Sequence, residues 1–120
     1  MVSVAASDLK SILDMVSKPI SDEILEQIID LAIDCLNLNG ADLPNMSGTA
    51  GSKTVSLESK QKAAVFIAAR AIYYSFYRGI ELLSMQNVSF SVPDLMSNSV
   101  VMGAIEKAAH KLAELEVTYG

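Results

Sequence analysis

The run KAAVFIAARAIYYSFYRG, Lys62 to Gly79, holds a single charged residue, Arg70, between its terminal Lys62 and Arg78. A helix on the surface of a small domain keeps a polar face, and one that is apolar all round is a buried element. Any fold for this chain must therefore be organised around that segment. At about 100° per residue it divides into three strips. Ala64, Ala68, Ala71 and Ser75 are small enough for a neighbouring helix to approach closely. Val65, Ala69, Ile72 and Phe76 form a larger apolar strip, and Phe66, Tyr73 and Tyr77 an aromatic one with Arg70 at its edge. Three partner helices in so short a chain cover two of the strips, which leaves the aromatic one for another protein chain.

Composition sets the scale. At 120 residues and 51% hydrophobic, the chain fits one compact domain, residues 1–120, with its own core. The longest apolar run, Ala63 to Tyr77, is broken by Arg70. It falls short of the roughly 20 residues that span a bilayer, so no membrane partner is expected. The opening MVSVAASDLK lacks the basic and apolar regions of a secretory signal. Cys35 is the single cysteine, which excludes an internal disulfide and fits a reducing compartment. The net charge of −5 is uneven: residues 1–45 carry eight acids against Lys10 and Lys18, and residues 46–120 six acids against seven bases. No stretch forms a basic stripe, which argues against tight wrapping around nucleic acid.

The remaining elements follow from caps and periods. Ser7 is a good N-cap for a first helix near 7–17, which the Lys18–Pro19 step ends. Ser21 starts a second helix near 21–39, and Gly40 stops it. Ile24, Leu25, Ile28, Leu31, Ala32, Cys35 and Leu36 share its apolar face, with Glu23, Glu26, Asp30 and Asp34 opposite. Residues 41–55 read as a long polar loop, mobile until a partner orders it. Ser56 caps the central helix, near 57–82. NVSFSVP alternates Val88, Phe90 and Val92 with serines, the period of a strand near 87–92 or an extended arm over 86–94. A closing helix near 97–116 carries Val101, Ala104, Ile105, Ala108, Leu112 and Leu115. The fold class expected is mainly α: a small bundle of about four helices around a long central one, with one short strand, hairpin or arm before the last helix.

Few residues suggest chemistry. The loop SGTAGSKT, Ser47 to Thr54, looks like a phosphate-binding loop but has Ser52 between Gly51 and Lys53, and it follows a helix instead of a strand. Glu23, Glu26, Asp30 and Asp34 stack carboxylates on one helix face, which reads as a solvated face or as a docking strip for a basic partner. No second acidic cluster offers the further ligands a metal needs. His110 follows Glu106 by one turn and pairs with it on the surface, while Cys35 reads as an inert buried thiol. Phe90 and its strand either tuck onto the core as a connector or add to a sheet with neighbouring subunits. No catalytic residue, cofactor site or metal site is expected.

This order of elements resembles the small head–tail connector, or adaptor, proteins of tailed phages and related archaeal viruses. The residues that carry the likeness are SDEILEQIIDLAIDCLNLNG as an acidic amphipathic helix after a short first helix, then a polar loop. KAAVFIAARAIYYSFYRG follows as an Ala- and Tyr-rich central helix, NVSFSVPD as a polar Ser/Val arm, and a closing helix ends the pattern. The likeness spans Asp8 to Leu115, although the loop from Ala41 to Val55 is longer and richer in Gly and Ser than the family pattern. It implies a structural virion protein assembled in the host cytoplasm. About a dozen copies would form a ring beneath the portal and continue the DNA channel towards the tail. The partners implied are further copies of the chain, the portal protein, tail or stopper proteins, and DNA that passes without sequence-specific binding. A central helix shared with the next subunit needs no polar face. Phe66, Tyr73, Tyr77, Val88, Phe90 and Val92 are then the interface candidates. The residues alone leave two other readings open: a helical interaction module or regulator using the acidic face or the Tyr73/Tyr77 strip, and a small enzyme of unfamiliar pattern.

Overall fold

The structure, a computed structural model, describes residues 1–13, 20–78, 80 and 89–113. The chain opens on strand β1 (Val2–Ala5) and turns directly into a short helix, α1 (Ala6–Lys10). Helix α2 (Asp22–Leu38) is followed by a loop, strand β2 (Thr54–Leu57) and helix α3 (Ser59–Ile72). The last runs on as a π-helical turn over Tyr73–Tyr77. A short α4 (Val92–Met96) and α5 (Ser99–Ala113) complete the described fold. It is mainly helical, as the periodicity predicts, and it carries in addition a two-stranded antiparallel ribbon.

Helix α3 is the hub. It packs most extensively against α5 and next against α2. Val65, Ala68, Ala69 and Ile72 of α3 are fully buried with Leu25, Ile28 and Leu36 of α2 and Val101 and Ile105 of α5. Burying one such aliphatic side chain stabilises the fold by about 1.5–3 kcal/mol, so this shared core outweighs every surface contact described below.

Local chemistry sets the ends of the elements. The Ser21 side chain accepts from the Ile24 N–H at 3.3 Å, and Gly40, at φ +98°, lies two residues beyond α2. That φ is cheap for glycine alone. Helix α3 starts at Ser59 rather than 57, because Leu57 belongs to β2; the Glu58 N–H donates to Gln61 Oε1 at 2.9 Å. Strands β1 and β2 pair Val2 with Leu57 and Val4 with Val55. Val4, Val55 and Leu57 face the core, while Ser3 and Ser56 face solvent.

Three boundaries differ from expectation. Helix α1 begins at Ala6, with Asp8 Oδ2 accepting from the Ala5 N–H at 2.8 Å, and has ended by Ser11. Residues 14–17, the rest of the predicted first helix, lie outside the described residues. The predicted strand near 87–92 fails at Val92, which opens α4: Ser91 accepts from the Asp94 N–H, and Pro93 sits in the first turn. Proline there lacks only an N–H the helix would not use. The Ser91 hydroxyl and amide hold the Asp94 carboxyl below its usual range. Residues 86–88 of the arm, Val88 among them, lie outside the described residues, as do 81–82 of the predicted central helix and Leu115.

Candidate functional site

The acidic face of α2 is neither solvated nor open to a partner along most of its length. The loop after α2 lies across it. Glu26, 3% exposed, accepts from the Gly51 N–H through Oε1 at 2.8 Å and from the Lys53 N–H through Oε2 at 3.0 Å. Asp30 Oδ1 accepts from the Met46 N–H at 2.9 Å, and the Asn45 side chain donates to both Asp30 and Asp34. One turn further on, the Asn37 side chain both accepts from the Leu43 N–H and donates to the Leu43 carbonyl. The 4-residue spacing thus presents acceptors one turn apart to a strap of loop backbone. Leu43 and Met46 are buried beneath it, and Ser47 pairs with Thr54 to carry the loop into β2.

This corrects two expectations. Residues 41–55 are a fastened strap, and Glu26, Asp30 and Asp34 hold it instead of forming a docking face. The sequence signal for this is Ile29 and Ile33. They fall between the carboxylates and are fully buried, which no solvated face would allow. Glycine at 51, at φ +91°, lets the strap turn its N–H towards Glu26. What remains open on the acidic face is Asp22 and Glu23 in its first turn. Both are exposed, and neither makes a hydrogen bond or ion pair to another described residue.

The aromatic strip is covered by its own chain. Phe66, Tyr73 and Tyr77 are 9%, 4% and 0% exposed. Phe90 stacks edge-on against Phe76 and Tyr77, with centroids 4.9 and 5.2 Å apart, and Val92 is half-buried. The expectation that these residues wait for another subunit therefore fails for the strip. Phe90 supplies cover that a count of three partner helices omits. The π turn, closed by the Arg78 N–H on the Tyr73 carbonyl at 2.9 Å, also shifts every side chain beyond Ile72 from where an α-helical wheel puts it. The Tyr77 hydroxyl is buried with no hydrogen-bond partner among the described residues, and burial pushes it up to about 12.

The open flank of α3 carries a cluster the sequence reading passed over. The guanidinium carbons of Arg70 and Arg78 each lie 5.1 Å from the centroid of the Tyr74 ring. Both arginines are exposed and the ring is half-buried. The spacing 70–74–78 puts one cation a turn before the ring and one a turn after it. Cation–π contact holds the two guanidiniums in place at little entropic cost to a ligand. At the other end of α3, Lys62 lies 5.6 Å from the Phe66 centroid and 3.8 Å from Asp8.

Among the described residues, the other groups come together in no reactive set. Cys35 is fully buried, its thiol pushed up to about 11 by burial and by Asp34. His110 and Glu106 are both exposed and do not bond to each other, so the surface pair expected there is absent. Among the described residues no cluster of His, Cys, Asp or Glu could hold a metal ion, and no helix is long and apolar enough to cross a membrane. A cleft of about 400 Å³ at the C-terminal end of α2 is lined by Asn39, Asp42, Leu43, Gln61, Ala109 and Leu112. Asp42 is its single ionisable lining residue among those described. No protein-family model, curated protein or solved structure matches the chain.

Proposed function

We propose that the chain is a structural assembly subunit of the head–tail connector kind, forming a ring beneath a portal that continues a DNA channel towards a tail. The observation that carries this is the arrangement of α3. The central helix is sheathed by α2, α5 and Phe90, yet its remaining flank presents a preorganised basic–aromatic cluster, Arg70–Tyr74–Arg78. Arginine and tyrosine are the residue types that concentrate binding energy at protein interfaces. The order of a short helix, an acidic helix, a strap, a long Ala- and Tyr-rich helix and a closing helix supports the same reading. The carboxylates most suggestive of chemistry hold the strap, so this fold uses them as scaffold.

Sedimentation velocity and negative-stain electron microscopy test the proposal, on the purified chain and on the chain mixed with a portal ring from the same genome. Closed rings with a central opening are expected. A chain that remains a single subunit in both settings would overturn it.

A further inference from the structure

The C-terminal cap of α2 is built on the pair Asn39–Gly40. Of the five asparagines in the chain, Asn39 alone precedes glycine. Asparagine is the more labile for such a neighbour, because no Cβ crowds the backbone nitrogen that attacks its side-chain amide. Both residues are exposed, and a Cβ placed on Gly40 would meet nothing within 4 Å. Water and base therefore reach the site. Two hydrogen bonds occupy the reacting groups. Asn39 Nδ2 donates to the Cys35 carbonyl at 2.9 Å, and the Gly40 N–H donates to the Asn37 carbonyl at 3.2 Å. We infer that Asn39–Gly40 is a modification site, at which the chain deamidates when this cap opens, and that the product loosens the start of the strap.

In the reaction the Gly40 nitrogen gives up its proton and attacks Asn39 Cγ. The new N–Cγ bond closes a succinimide ring. The Cγ–Nδ2 bond breaks, and the amide nitrogen leaves as ammonia, carrying the proton that Gly40 lost. Water then opens the ring. Attack at Cγ gives aspartate; attack at the main-chain carbonyl gives isoaspartate, whose backbone runs through Cγ. Ring closure needs the Asn39 amide free of Cys35 and the Gly40 nitrogen free of Asn37, so the rate follows the open fraction of the cap. The product cannot re-form that cap. A carboxylate has no proton to donate to the Cys35 carbonyl, and its charge is unfavourable at the C-terminal end of a helix. Isoaspartate also lengthens the backbone by a methylene just before Ala41 and Leu43. Their N–H groups donate to the Leu36 carbonyl at 3.1 Å and to Asn37 Oδ1 at 2.9 Å, the first fastenings of the strap. Glu26 holds Gly51 and Lys53 separately. Asn98 is less open to the same reaction: Ser99 after it carries a Cβ, and its Oδ1 accepts from the Val100 and Val101 N–H groups at 2.9 and 3.0 Å.

Ageing the full chain at mildly alkaline pH, folded and in urea, tests this. Peptide mapping by mass spectrometry reads conversion at each asparagine, and an isoaspartate methyltransferase assay reads the isomer. Asn39 should convert to a mixture of aspartate and isoaspartate in both states, at least about tenfold more slowly in the folded chain. Hydrogen exchange on the aged chain, and on Asn39→Asp made directly, should be faster than wild type at Ala41 and Leu43 and unchanged at Gly51 and Lys53. No conversion of Asn39 in the folded chain, or earlier conversion of Asn45 or Asn98, would overturn the site. Equal rates in the folded and unfolded chain would overturn the role of the cap. Conversion that leaves Ala41 and Leu43 as protected as in the fresh chain would overturn the loosening of the strap.

Discussion

Replacing Glu26 with alanine should detach the strap and destabilise the whole domain. The carboxylate is 3% exposed and accepts two backbone N–H groups, Gly51 at 2.8 Å and Lys53 at 3.0 Å. A hydrogen bond to a charged group contributes about 1.5–3 kcal/mol net. The lower figure applies to each here, because the freed N–H groups can turn outward to water once the strap lifts. Two such bonds give about 3 kcal/mol for Glu26→Ala, or a fall of about 10 °C in melting temperature for a domain of this size. Glu26→Gln keeps one acceptor and sets an amide N–H₂ against the other donor, so it should fall between alanine and wild type. Circular dichroism at rising temperature reads all three. A Glu26→Ala melting temperature within a degree of wild type would refute the reasoning, since the buried carboxylate would then hold nothing.

Three further outcomes follow from burial. Ala68→Leu should cost about 1–3 kcal/mol by overpacking a fully buried site, whereas Ala71, half-buried towards the open flank, should tolerate leucine with less than half that loss; equal losses would contradict the packing. Tyr77→Phe removes a buried hydroxyl that has no partner among the described residues, so denaturant unfolding should show stability unchanged or raised by about 1 kcal/mol. Both Cys35 and Tyr77 titrate higher in the fold, at about 11 against 9.0 and about 12 against 10.0. Their contribution is therefore complete below pH 9 and lost as pH rises from 9 to 12, and a Cys35→Ala, Tyr77→Phe double variant should flatten that alkaline decline.

How much of this the sequence carried depends on how local the cause is. The bounds of α2 follow from Ser21 and Gly40, which act within a turn, and α3 follows from an apolar run that has nowhere to go but inside. The β1–β2 ribbon joins Val4 to Val55, and nothing in either four-residue stretch names a partner so far along the chain. TVSL does alternate, but Ser56 also reads as a helix cap. The strap was hidden for a related reason. A period of four carboxylates looks the same whether water or backbone N–H groups satisfy it, and only the interleaved Ile29 and Ile33 argue for cover. The aromatic strip was correctly seen as apolar, yet which chain buries it depends on Phe90 and the π turn, neither of which an α-helical wheel includes. Arg70, Tyr74 and Arg78 were in view as residues, but their convergence depends on a side-chain geometry that spacing alone does not show.

The strap decides how the acidic face is used, because it occupies Glu26, Asp30 and Asp34. Amide hydrogen exchange, resolved by residue across 45–54, tests that most directly. The N–H groups of Met46, Ser47, Gly51, Lys53 and Thr54 all donate to Asp30, Thr54, Glu26 or Ser47. They should exchange far more slowly than those of Gly48, Thr49 and Ala50, which lie exposed in the turn between. That alternation is the expected result. Uniformly fast exchange from 45 to 54 would contradict it, return Glu26, Asp30 and Asp34 to solvent, and make the acidic face available along its full length.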